Sequence, residues 1–139
     1  MITFPPPCDM TRVYYGDTWQ KHCERDGYLA NGNEPGLDII SRPQINIPLI
    51  AVLGGTITRD KDIGYNMGFG TYCEIDHGVQ ADGRHYKTLH AHMMSNMVKV
   101  GQKVKAGAVV GYMGTTGNST CIHDHFILWV DGENVDPPP

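Results

Sequence analysis

Positive charge is in short supply: 11 Lys and Arg stand against 15 Asp and Glu, for a net charge of −4, and the basic residues are scattered. The electrostatic footprint of a nucleic-acid binder is therefore missing. Long apolar runs are absent too, and none approaches the roughly 20 residues that span a bilayer. The four cysteines (Cys8, Cys23, Cys73, Cys121) show no C-x-x-C spacing, which removes the usual signature of a structural zinc ribbon or a redox pair. Sequence leaves open whether they form disulfides or stay as buried thiols. The start of the chain, Met1 to Pro7, has neither the basic n-region nor the apolar h-region of a signal peptide.

What the chain does have is 17 glycines and 9 prolines in 139 residues, with aromatic and β-branched residues between them. That mixture predicts short strands joined by tight turns. Candidate strands are Leu49–Leu53, Thr56–Thr58, Thr71–Asp76, Tyr86–His92, Ala108–Met113 and Ile122–Val130. Their close spacing predicts an all-β domain, a sandwich or barrel in place of a parallel α/β sheet. No domain boundary or internal repeat is visible, so residues 1–139 read as one domain. Residues 1–33 read as an irregular segment packed on it, with Thr18–Arg25 as its only helical stretch. Val98–Gly107 alternates valines with lysines between glycine turns, which predicts a lysine-faced exposed strand.

The chemistry concentrates in Cys121-Ile-His-Asp-His-Phe-Ile-Leu-Trp129. Side chains alternate faces along a strand, so His123 and His125 share one side, about 7 Å apart. Two imidazoles so placed can hold a metal, or one can bind it while the other handles protons. Cys121 would join them if the strand were regular, as a possible thiolate ligand. The bland reading is a pair of surface histidines.

Further pieces stand in order: Glu34-Pro-Gly-Leu-Asp38, Tyr72-Cys-Glu-Ile-Asp-His-Gly78, Leu89-His-Ala-His92, the Val98–Gly107 run, Gly114-Thr-Thr-Gly-Asn-Ser-Thr120 and Asp131-Gly-Glu-Asn-Val-Asp-Pro137. Together they resemble the lysostaphin/LytM-type zinc metallopeptidases, which cut peptide cross-bridges of bacterial peptidoglycan. The resemblance implies a two-layer antiparallel sandwich of the barrel-sandwich (duplicated hybrid motif) kind with a catalytic groove. It implies one Zn2+ per chain, with Asp38 and His125 as ligands. By the same resemblance His92 and His123 orient water and stabilise the tetrahedral intermediate. His90 falls where the family often has Tyr, in Y-A-H-L, and Asp124 falls where H-L-H-F-E has Leu.

Glu34 occupies the place of the family's first ligand, a His in H-x-G-[IL]-D. A Glu34/Asp38/His125 set would cancel the metal's charge and activate water less than two imidazoles and one carboxylate. The expectation is a peptidoglycan endopeptidase, weakened by Glu34; the alternative is a catalytically degenerate member acting as a structural or wall-binding part of a larger assembly such as a phage tail. His22 is a possible substitute ligand, disfavoured by its loop setting. His77 and His85 sit beside turns and read as solvated. Biotinyl and lipoyl carriers lack support, having no M-K-M-like tip here, and a phosphocarrier would have no use for Asp38. The expected partners are stem and cross-bridge peptides and, in the phage setting, virion tail proteins; the expected location is extracellular or virion-associated.

Overall fold

The structure, a computed structural model, describes residues 1–26 and 35–138. Glu34 therefore lies outside the described residues. The chain forms β1 (Val13–Tyr15), α1 (Trp19–Asp26), β2 (Leu37–Ser41), β3 (Pro48–Ile50), β4 (Gly55–Lys61), β5 (Thr71–Val79), β6 (His85–Asn96), β7 (Lys103–Val104), β8 (Val109–Met113), β9 (His123–Val130) and β10 (Glu133–Val135). Every ladder between them is antiparallel, in the order β1-β2-β9-β6-β5-β4-β7, with β10 on β9 and the β3-β8 pair joined to β6. The all-β antiparallel architecture is the one the turn-rich composition predicts.

Three neighbouring strands position the chemistry. β9 runs between β2 and β6, with Asp38 opposite His125 on one side and Ala91 opposite His125 on the other. β9 alternates between two interiors. Phe126 packs in the main core with Leu37, Ile39, Leu49, Ile57, Ile75, Val110 and Met113, while Ile127 packs on the opposite face with Leu89, Ala91 and Tyr72. Burial on both faces explains why this strand reads as a continuous apolar run interrupted only by His-Asp-His. β6 is long enough to pair with β9 through Ala91 and with β8 from Met93 onward. The residue between, His92, is where the backbone turns.

The N-terminal segment is more ordered than its sequence predicts. A short 3-10 helix (Met10–Arg12) leads into β1, which pairs with β2, and Cys8 is buried in the main core. The helix at 18–25 is present as α1, shifted by one residue. The Val98–Gly107 run departs from expectation: only Lys103–Val104 pair as strand, because the glycine turns leave too few residues between them, and Val100 is exposed while Val98 is buried. All four cysteines are free thiols. Among the described residues, no helix is long and apolar enough to cross a membrane.

Candidate metal centre and cleft

His22 enters the site because α1 is anchored at its N-terminal end. Thr18 caps the helix, its Oγ1 accepting a 3.1 Å hydrogen bond from Lys21 N, and Trp19 Nε1 donates to Asn134 Oδ1 at 2.7 Å, tying the helix to β10. The His22 ring is buried, with Nδ1 2.8 Å from the Thr18 carbonyl. A carbonyl can only accept, so Nδ1 carries the proton and Nε2 presents a lone pair. That Nε2 lies 3.5 Å from Asp38 Oδ2.

Asp38 is held from both sides of its strand. Its backbone N–H donates to Asp17 O and its carbonyl accepts from Gly16 N, each at 2.9 Å. Its Oδ1 is 2.9 Å from His125 Nδ1 and 3.8 Å from His123 Nε2. Burial alone would raise the Asp38 pKa; a hydrogen bond donated by His125, and a second from His22 when that ring is protonated, outweigh it and hold the carboxyl well below the usual carboxylate range. His123 repeats the device seen in His22: its Nδ1 sits 2.9 Å from the Cys121 carbonyl, leaving Nε2 as the lone-pair atom turned toward Asp38.

His92 reaches the same cleft by breaking the strand rule. Side chains two apart share a face, so His90 and His92 should point together. His92 instead adopts φ 59°, a left-handed conformation sparsely populated by residues other than glycine. Its N–H leaves the ladder to donate to Phe69 O at 2.7 Å, and its Nδ1 donates to Thr116 O at 2.8 Å. The ring thereby stands 4.7 Å from His123 and 5.9 Å from His125, centroid to centroid. Gly70 and Gly117 make this possible. Both have positive φ, and a Cβ on either would strike the backbone of the other's loop, which carries Phe69 or Thr116.

The histidines and Asp38 line an open cleft of about 370 Å3, walled by Asp17, Ile40, Met67, Phe69, Ser119 and Cys121. Ligand atoms of His22, Asp38 and His125 all lie within 4.8 Å of one another. A tetrahedral zinc with bonds of about 2.0–2.2 Å sets its ligand atoms roughly 3.3 Å apart, so the spacing suits such an ion. The electrostatics do as well. Lone pairs of His22 Nε2 and His123 Nε2 face a carboxylate, an arrangement that a cation between them makes favourable. Asp38 and His125 are thus brought together with His92 and His123 in one cleft. His22 is on a helix, so the loop setting that disfavoured it does not hold; the only sequence signal for it is a lone His four residues after a capping Thr. Cys121 precedes β9 in an irregular bend, its Sγ 4.0 Å from His123 Nδ1, so the three-residue face predicted for a regular strand does not form. His77 is another correction: it is buried, bonded to Gly54 O at 3.0 Å and Thr88 Oγ1 at 2.8 Å, because the strand bearing it continues through the predicted turn. His85 is half-buried against Asp76 at 2.6 Å.

Burial, then repulsion from His123 and His125, lowers the His92 pKa to about 4. A histidine depressed in the folded state stabilises the fold fully above its unfolded value and loses that contribution as pH falls to the folded one. Metal-free protein should therefore lose about 3 kcal/mol of stability between roughly pH 6.5 and 4 through this residue. Denaturant titrations at several pH values check it. His92→Asn, which tolerates the left-handed backbone, should flatten the slope.

The sequence profile of peptidase family M23 matches residues 32–137. The chain belongs to peptidase family M23. The M23 chain is 35% identical over 99 residues to the glycyl-glycine endopeptidase ALE-1 of Staphylococcus capitis, an alignment covering 70% of this chain and 25% of that protein. Its fold matches the catalytic domain of the antimicrobial peptidase lysostaphin from Staphylococcus simulans at TM-score 0.68 and 27% identity, covering 92% of this chain and 91% of that one. It also matches a zinc containing peptidase from Vibrio cholerae at TM-score 0.72 and 27% identity, over 94% of this chain and 37% of that chain. The M23 chain spans about a quarter or less of the length of the first curated relatives it matches, 18% and 27% in two metalloproteases from Haemophilus influenzae and Buchnera aphidicola.

Proposed function

We propose that this M23 chain is a zinc-dependent endopeptidase that cleaves peptide cross-bridges of bacterial peptidoglycan outside the cytoplasm, using His22, Asp38 and His125 as its metal ligands. The observation that carries the reading is the convergence of those three donors beside His92 and His123 in an open cleft. Two imidazoles and one carboxylate leave a divalent ion with net positive charge, the balance that a Glu34/Asp38/His125 set would lose. A divalent cation held there supplies Lewis acidity. The rest falls to the chain's own residues. His123 and His92, each with Nδ1 tied to a backbone carbonyl, offer Nε2 to accept a proton from the attacking water and, once protonated, to donate to the developing oxyanion. Phe69 and Met67 wall the cleft on the side of His92 and His125. Glycyl-glycine and related peptide links are the substrate class, by analogy with the relatives' names.

The degenerate, wall-binding alternative runs against an intact constellation: a domain freed from catalysis has no reason to keep His92 in a strained backbone. The deciding experiment is solubilisation of labelled peptidoglycan of several cross-bridge types by purified protein. Hydrolysis with zinc supplied, lost with a chelator and restored by zinc, is the expected result. Zinc-loaded protein inert on every wall type overturns the reading in favour of a binding component.

A further inference from the structure

On the face of β9 opposite the cleft, Asp124 turns into the core between the two cleft histidines. Its Oδ2 accepts a 2.8 Å hydrogen bond from His90 Nδ1, and both side chains are fully buried. His90 stands on β6 opposite Cys73 of β5 and Phe126 of β9, its ring 5.4 Å from that of Phe126. Two polar atoms of the pair, His90 Nε2 and Asp124 Oδ1, are buried with no hydrogen-bond partner among the described residues. Taking a carboxylate and an imidazole out of water is unfavourable unless their polar atoms are matched. A half-satisfied pair is therefore a poor source of stability, and its place in the fold points to another use.

The place is where backbone pairing fails. The β6–β9 ladder stops at Ala91 opposite His125. A regular next step would set His92 opposite Asp124 on the core face, but His92 turns away into the cleft and gives its N–H to Phe69. The Asp124–His90 bond crosses diagonally between the two strands at that gap. It ties the residue between His123 and His125 to the residue two before His92. We infer that the buried Asp124–His90 hydrogen bond is a positioning element that locks β9 against β6 where their ladder lapses, fixing His92, His123 and His125 relative to one another. Neither residue touches substrate or metal. The inference rests on the peptidase reading for its catalytic consequence, while its effect on local order stands apart from that reading.

The test compares wild type with Asp124→Asn, which keeps an acceptor for His90, and with the double variant His90→Phe/Asp124→Leu, which fills the same space with apolar groups. Zinc affinity by chelator competition, kcat and KM on a cross-bridge peptide, melting temperature, and amide exchange at residues 91–93 and 123–125 in metal-free protein are measured. Asp124→Asn should behave as wild type. The double variant should melt at or above wild type, yet lose about tenfold or more in kcat with KM little changed, since small misplacements of reacting groups are costly. It should also bind zinc more weakly and exchange those amides about tenfold faster. A double variant with wild-type kcat, zinc affinity and exchange overturns the inference, because matched apolar packing then replaces the pair completely. One that unfolds or melts far below wild type overturns it too, since the pair would be structural. If wild type neither binds zinc nor cleaves peptide, the peptidase reading falls, and the exchange data alone decide the positioning role.

Discussion

His22→Ala should release the metal: zinc affinity is expected to fall by more than about a hundredfold, since even a residue that only orients a ligand is worth 10–100-fold. His22 is buried, its Nδ1 is held by Thr18 O, and its Nε2 is 3.5 Å from Asp38, so the ring is oriented before any ion arrives. His125→Ala should do the same from the other side of Asp38. Glu34→Ala is the informative contrast. If His22 is the third ligand, Glu34→Ala leaves zinc stoichiometry near one per chain and hydrolysis within a few fold of wild type. If the H-x-G-x-D register dictates the ligand, Glu34→Ala loses the metal and His22→Ala keeps it. Elemental analysis and chelator competition on the three proteins separate the two outcomes, and the second would return the site to the Glu34/Asp38/His125 set.

His123→Ala should retain zinc but lose about 10²- to 10⁴-fold in kcat, the range for removing a positioned acid–base group. On the proposed reading this ring handles protons: its Nδ1 is tied to Cys121 O and its Nε2 faces Asp38 Oδ1 from 3.8 Å. Because the loss falls on a group acting in the transition state, kcat and kcat/KM should drop together with KM little changed. A His123→Ala protein that loses its zinc instead would make His123 a ligand. His92→Ala should behave similarly in kcat.

Much of the site was legible because its parts are local. His123 and His125 announce themselves by i, i+2 spacing within an apolar run, and a strand keeps both on one face whatever surrounds it. Asp38 was reached through its G-L-D motif; its strand buries Leu37, Ile39 and Ser41, an alternation that Ile40 and Ser41 hide from a reading of hydropathy. The all-β architecture follows from glycine turns and β-branched runs for the same reason. Where a local rule was broken by distant contacts, sequence misled. Strand alternation alone would put His92 on the face of His90, and only the motif resemblance pointed it to the site; its left-handed backbone, stabilised by Phe69 O and Thr116 O from two other loops, turns it into the cleft and leaves His90 to Asp124. His77 looked like a turn residue and is a buried strand residue bonded to Gly54 and Thr88.

The amino-acid sequence by itself determined the longer strands and set His123 and His125 on one face, because strand periodicity depends on neighbours one and two residues away; Asp38 came from the order of the motifs. Only the tertiary structure brought His22 to Asp38 across 15 intervening residues and set Asp124 against His90 across the β6–β9 pair. Those contacts join elements whose separation along the chain carries no pattern, and they exist because packing of α1 on β10 and of β9 between β2 and β6 leaves each side chain one place to go.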